Sequence, residues 1–173
     1  MEDIRIVRPD ETMLDEIASY RKAMQDAGSS MDGTSGLSNY DDPAAWLAHV
    51  RIMEDEVACP PHLVTSTLYI AVRAGDGRIV GMIDLRHRLN DFLAKIGGHI
   101  GYSVRPDERR KGYAKTMLRL VLNEARERGI DRALVTCDDD NIGSARTIEA
   151  NGGVLECVAQ FEGETIRRYW ITL

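Results

Sequence analysis

The 173-residue chain has no stretch of about 18 consecutive apolar residues, so nothing in it reads as a membrane span and no membrane partner is expected. Cysteine is scarce: Cys59, Cys137 and Cys157 are few, odd in number and widely spaced. None stands in a CxxC pair or at a Cys/His ligand spacing, which argues against a zinc site, and no metal is expected. The same usage suits a reducing compartment, so the expected location is cytoplasmic. The opening Met1-Glu2-Asp3-Ile4-Arg5 is acidic and lacks the apolar core of a secretory leader. Positive charge is also short: 22 Lys and Arg against 28 Asp and Glu leave a net charge of −6. A generic polyanion binder needs a basic face that this balance does not supply, so no nucleic-acid partner is expected. The acidic excess leans toward a cationic or amine-bearing partner, or is ordinary solubility. There is no internal repeat.

What is present is ordinary globular composition, 43% hydrophobic and 29% charged. The length fits one domain over residues 1–173 with a core of its own. Ile4 and Ile6 alternate with polar neighbours as in a short strand. Pro9-Asp10 opens a helix carrying Leu14, Ile17, Ala18, Arg21 and Met24. Residues 28–40 are rich in glycine and serine and read as a mobile surface loop, either functional or a plain connector. Asp42-Pro43 reads as N-cap and first turn of a helix that places Trp46, Val50, Met53 and Val57 on one face, ending at Cys59-Pro60-Pro61. Strands are expected at 68–73 and 78–87, paired as a hairpin, then at 99–104. Tyr113 to Arg128 is the clearest helix, with Ala114, Met117, Leu118, Val121, Leu122 and Ala125 in one stripe and Gly129 beyond its end. A buried strand at 132–137, a short helix at 141–150 and a final hairpin at 154–161 and 165–172 complete the chain. The order is β-α-α-β-β-β-α-β-α-β-β, an α/β (α+β) class with one mixed, mostly antiparallel sheet flanked by helices.

The most informative segment runs from His99 to Ala114, where a strand enters a short charged loop that opens onto the best helix. The first turn of a helix leaves N–H groups unpaired at the positive end of its dipole. An anion can sit there, and Gly112 lets it approach the backbone closely. Arg109, Arg110 and Lys111 form a local cationic cluster in an acidic chain. The loop lacks the Gly-Lys-Ser/Thr of a P-loop, and no GxGxxG opens a βαβ unit.

Arg109-Arg110-Lys111-Gly112-Tyr113-Ala114 does match the acyl-CoA signature Arg/Gln-x-x-Gly-x-Gly/Ala. A strand, Ala133 to Cys137, then leads to Asn141 and a helix ending in glycine. With these elements the chain resembles the GNAT family of N-acetyltransferases, strongly over 68–173 and by element order alone before that. The resemblance implies a single N-acetyltransferase domain with its CoA-binding core at about residues 68–153 and acetyl-CoA as co-substrate. It implies that the amides from Arg110 to Ala114 hold the pyrophosphate, with Arg109 and Lys111 beside them. Val104 would pair with the pantetheine arm as an added strand does. A strand N–H between 99 and 104 would polarise the thioester, and Asn141, with Ser144, would contact the arm near the thiol. The strands at 99–104 and 132–137 would splay to open a slot.

The family pattern is departed from twice. A tyrosine that many members use as thiolate acid is replaced by Ile148, and a glutamate used by some as base falls at Gly98. His99 is a base candidate by its ordinary pKa, or else fills the other face of its strand with a satisfied hydrogen bond. Asp84 and His87 carry less weight. The acceptor implied is a primary amine of a small molecule or protein. It would meet residues 20–62 and 160–168, where Asp26, Asp32, Asp41, Asp42, Glu54, Asp55, Glu56, Glu162 and Glu164 would suit a cation. Dimers are common in the family, so a homodimer is within expectation. The other reading is a CoA-binding module of this fold that has lost catalysis and serves regulation or assembly.

Overall fold

The computed structural model describes residues 4–173; Met1 to Asp3, which carry the acidic start, lie outside the described residues. The elements are β1 (Ile4–Val7), α1 (Leu14–Asp26), α2 (Pro43–Glu54), β2 (Ser66–Arg73), β3 (Ile79–Arg86), β4 (Ile100–Val104), α3 (Tyr113–Glu127), β5 (Arg132–Asp138), α4 (Ile142–Glu149), β6 (Val154–Phe161) and β7 (Glu164–Thr172). They follow the order expected from the sequence. All strands join one seven-stranded sheet, β1-β2-β3-β4-β5-β7-β6. Every pairing is antiparallel except β4 with β5, which meet in parallel at the single register pair Ile100↔Val135.

Strand alternation builds two cores. On one face Tyr69, Ala71, Ile83, Leu85, Ile100, Val135 and Tyr169 pack under the apolar stripe of α3 and under Ala145 and Ile148 of α4. On the other, Leu68, Ile70, Val72 and Met82 pack under Ile17, Tyr20 and Met24 of α1 and Trp46, Leu47 and Val50 of α2. Asp42 caps α2 by accepting the Ala44 N–H at 2.9 Å, with Pro43 in the first turn. At the end of α3 the chain turns through Gly129 at φ 80°.

Two expectations are corrected. Helix α2 stops at Glu54, and Val57 is 95% exposed instead of continuing its buried face. The cause is Asp55, whose Oδ1 accepts the N–H groups of both Val57 and Ala58 and turns the chain out of the helix. Second, the 28–40 segment is not a loose surface loop. Thr34 and Leu37 are buried, and the Trp46 indole donates to the Thr34 carbonyl at 2.8 Å. Gly33, at φ 67°, presses on β4 so closely that a Cβ there would stand 2.0 Å from the Gly101 carbonyl oxygen. The connection between β3 and β4 holds a π-helical turn, Leu93–Gly97.

Candidate active site

Beyond Ile100↔Val135 the two central parallel strands part, and a cleft of about 1020 Å³ opens between them. The Arg86 amide donates to His99 O at 2.8 Å and the Arg105 amide to Val80 O at 2.9 Å. Two-residue alternation therefore turns the main chain of Gly101 and Ser103 toward β3, and that of Tyr102 and Val104 toward the cleft. The Val104 carbonyl is already taken by Arg109 Nε at 3.2 Å, so its N–H is the group left for an added strand.

At the upper end of β4 the chain reaches the α3 N-terminus. Gly112 is its N-cap at φ 86°, and among the described residues no side chain caps the helix. Arg110 also has positive φ, 63°, so two left-handed residues curl the backbone just before the helix. Such a turn gathers N–H groups into an anion-binding concavity. Arg110, Gly112, Tyr113 and Ala114 all line the cleft there. Arg109 lies on the rim, its Nη2 bonded to Ser29 Oγ at 3.0 Å. Lys111 turns away: its Nζ pairs with the buried Glu108 at 2.7 Å, beside Arg73 and Arg78. Lys115, one turn into α3, lines the cleft in its place.

Across the cleft Asn141 caps α4, its Oδ1 accepting the Ser144 N–H at 3.0 Å. Ser144 Oγ lies 2.7 Å from the Tyr102 hydroxyl, and both residues line the cleft. Burial pushes the Tyr102 hydroxyl well above its ordinary pKa, so it stays protonated. Cys137 lines the same wall, and burial lifts its thiol to about 11, which leaves it neutral and packed. Ile148, two turns into α4, is fully buried.

His99 sits at the closed end. Its Nδ1 accepts the Leu134 N–H at 2.9 Å, and burial, with Arg86 nearby, lowers its pKa. It does not line the cleft. Neither does Asp84, which is buried on the opposite sheet face with Oδ2 3.4 Å from Arg86 Nε and Oδ1 without a hydrogen-bond partner among the described residues. Burial raises the Asp84 pKa against the pull of Arg86, Ser66 and His49. His87 shares a hydrogen bond with Thr67 at 2.9 Å, away from the cleft. Of the acids expected to greet the acceptor, only Asp32 and Glu164 line the cleft. Asp26 and Asp41 pair with Lys22 and Arg21, and Glu54 pairs with Arg8.

The sequence reading missed the Tyr102–Ser144 hydroxyl pair, Arg86 and the Gly33 contact. Tyr102 and Ser144 are 42 positions apart, and only the strand–helix packing joins them. Gly33 had one visible signal, a glycine within a polar loop, which does not say what it touches.

A sequence model of the GNAT acetyltransferase domain matches residues 6–154, and the chain belongs to that family; it is an N-acetyltransferase. No curated protein matches it. Solved structures share its fold at low identity. The ribosomal-protein-S5-alanine acetyltransferase of Vibrio fischeri is 16% identical, with 99% of this chain and 94% of that one covered at a TM-score of 0.73. The Salmonella typhimurium acetyltransferase that modifies the N-terminal serine of ribosomal protein L7/L12 is 16% identical, covering 98% and 95% at 0.66. The microcin C7 self-immunity acetyltransferase, solved with acetyl-CoA and AMP, is 16% identical, covering 100% and 94% at 0.70.

Proposed function

We propose that the cleft between β4 and β5 takes acetyl-CoA and passes its acetyl group directly to a primary amine of a small molecule or protein. The observation that carries this is the opening of the two central strands beneath an α3 N-terminus that no described side chain caps. The residues present suit the co-substrate. The amides of Arg110 to Ala114 would hold the pyrophosphate, with Arg109 and Lys115 adding charge, and the cleft-facing N–H of Val104 would meet the pantetheine arm. Lys111 supports the loop through Glu108. Asn141 and Ser144 would border the thiol end. We read residues 1–173 as one domain with this core at about 68–153. Three free cysteines suit a reducing cytoplasm.

Acetyl-CoA supplies an activated acyl group with a good leaving thiolate. The chain supplies position: holding both reactants in line replaces a collision with an intramolecular approach. The main-chain N–H of Tyr102, turned into the cleft, would polarise the thioester carbonyl. The neutral Tyr102 hydroxyl, bonded to Ser144, would hand a proton to the departing sulfur, in answer to the missing tyrosine at Ile148. The amine must lose its proton before attack. His99, with Nδ1 held by Leu134, and Asp84, outside the cleft, reach it only through water, so a water-relayed base is the better fit. Asp32 and Glu164 at the mouth favour an acceptor that arrives as an ammonium ion. A homodimer is compatible with this reading.

The test is an amine screen with acetyl-CoA, read as free thiol and as a mass gain of one acetyl group. Tight CoA binding with no amine consumed would favour the second reading, a CoA-binding module that has lost catalysis, for which the fully buried Ile148 speaks.

A further inference from the structure

We infer that Arg86 binds a carboxylate carried by the acceptor, so that the substrate is an amino-acid-like amine with an acid group beside the amino group. This rests on reading the cleft as the site of acetyl transfer.

Arg86 ends β3 and shares its sheet face with Asp84 and the cross-strand partner Gly101, the face turned to α1 and α2. The α3 and α4 helices, with the proposed pyrophosphate site, lie on the other face. Arg86 also stands at the other end of β4. Gly101 lies four positions before Arg105, about 13 Å of strand. The guanidinium therefore borders the cleft at its closed end, where a thioester reaching down from α3 would end, and on the side left for an acceptor.

The group is held and yet unspent. Nη1 donates to the carbonyls of Gly97 at 2.8 Å and Gly98 at 3.3 Å, which fixes the plane of the fork. Nε faces Asp84 Oδ2 at 3.4 Å, longer than a good charge-assisted hydrogen bond. Nη2 makes no hydrogen bond to a described residue. It lies 3.3 Å from where a side chain at Gly101 would begin, a point that Gly33 N approaches to 3.2 Å, so a glycine at 101 lets Arg86 and the Gly33 segment meet over the strand. A planar donor edge, fixed by its own main chain and only 22% exposed, is suited to a planar carboxylate.

The experiment compares amino acids with their primary amides as acceptors, using acetyl-CoA and the full chain. The expected result is a kcat/KM about tenfold or more in favour of the acids, carried by KM. Arg86→Gln should bring each acid to the level of its amide, and Arg86→Lys should restore part of the difference. Calorimetric CoA binding by each variant serves as the folding check, since a merely structural arginine would lower acids and amides alike. Acids and amides used equally by the wild type overturn the inference, as does a preference that survives in Arg86→Gln. A peptide N-terminus preferred over every free amino acid overturns it too, and so does an Arg86-dependent preference for succinyl-CoA over acetyl-CoA that leaves acids and amides equal. CoA binding with no amine of either kind consumed overturns the transfer reading itself, and the inference with it.

Discussion

His99 and Leu134 clasp one another across the base of the cleft. The His99 amide donates to the Leu134 carbonyl at 2.7 Å, and its Nδ1 accepts the Leu134 N–H at 2.9 Å. Gly98, at φ 63°, brings the two strands close enough for this: a Cβ there would stand 2.5 Å from the Leu134 carbonyl oxygen. Only a neutral imidazole can accept at Nδ1.

That clasp predicts an acid-sensitive contribution to stability. Burial lowers the folded pKa of His99 below its ordinary value near 6.5. The unfolded chain then takes up the proton first, so stability is full above about pH 6.5 and is lost as pH falls toward the lower folded pKa. In His99→Leu the Leu134 N–H loses its partner, at a cost of about 1–3 kcal/mol near neutrality. Urea denaturation from pH 7.5 down to 5 should show the gap between wild type and variant narrowing. His87, also lowered, titrates in both proteins and cancels. A gap that stays constant would mean that the imidazole does not titrate against folding.

Gly112→Glu should abolish CoA binding. The residue sits at φ 86°, where a side chain costs about 1–2 kcal/mol, and the new carboxylate would repel a diphosphate at the helix N-terminus. Gly112→Ala carries the strain without the charge and should weaken binding less. Calorimetry on both variants, beside their melting curves, separates the two effects; equal affinities for the two variants would place the anion elsewhere.

Tyr102→Phe should lower kcat by about tenfold to a hundredfold while the KM for acetyl-CoA changes little. Ser144→Ala should act in the same direction. If the hydroxyls, 2.7 Å apart, pass one proton between them, the double variant is no slower than the worse single one. Multiplicative losses in steady-state kinetics would separate their roles.

Gly33→Ala should lift the segment after α1 from β4, because a Cβ at 2.0 Å from Gly101 O cannot be accommodated. The expected outcome is a loss of about 1–3 kcal/mol and a raised acceptor KM, with CoA affinity nearly kept. A variant as stable as wild type would show that the loop does not need this contact.

The sequence was legible where local chemistry decides. Asp42-Pro43 opened α2 as read, and Gly112 before a strongly striped helix marked the anion site candidate. It was misread where a side chain competes with periodicity. Val57 continues the apolar spacing of α2, but the Asp55 carboxylate captures the next two amides and ends the helix. The polar composition of 28–40 concealed Thr34 and Leu37, which are buried because Trp46 and β4 reach them from afar. Lys111 looked like part of the cationic cluster, yet the buried Glu108 claims its charge, and no spacing rule announces a buried acid three residues earlier. Arg86 was invisible because its use depends on Gly97, Gly98 and Gly101, which only the sheet assembles around it.

The parallel seam at Ile100 and Val135 divides the sheet into a four-stranded wing and a three-stranded wing, joined at one end like the arms of a clothes-peg. A ligand that adds its own amides along the open edge of β4 would serve as mortar as well as reagent, tying the wings where the polypeptide leaves them apart. At a concentration a hundred times its Kd, it would strengthen the whole domain by about 2.7 kcal/mol. The architecture would thus be completed only when its cargo arrives.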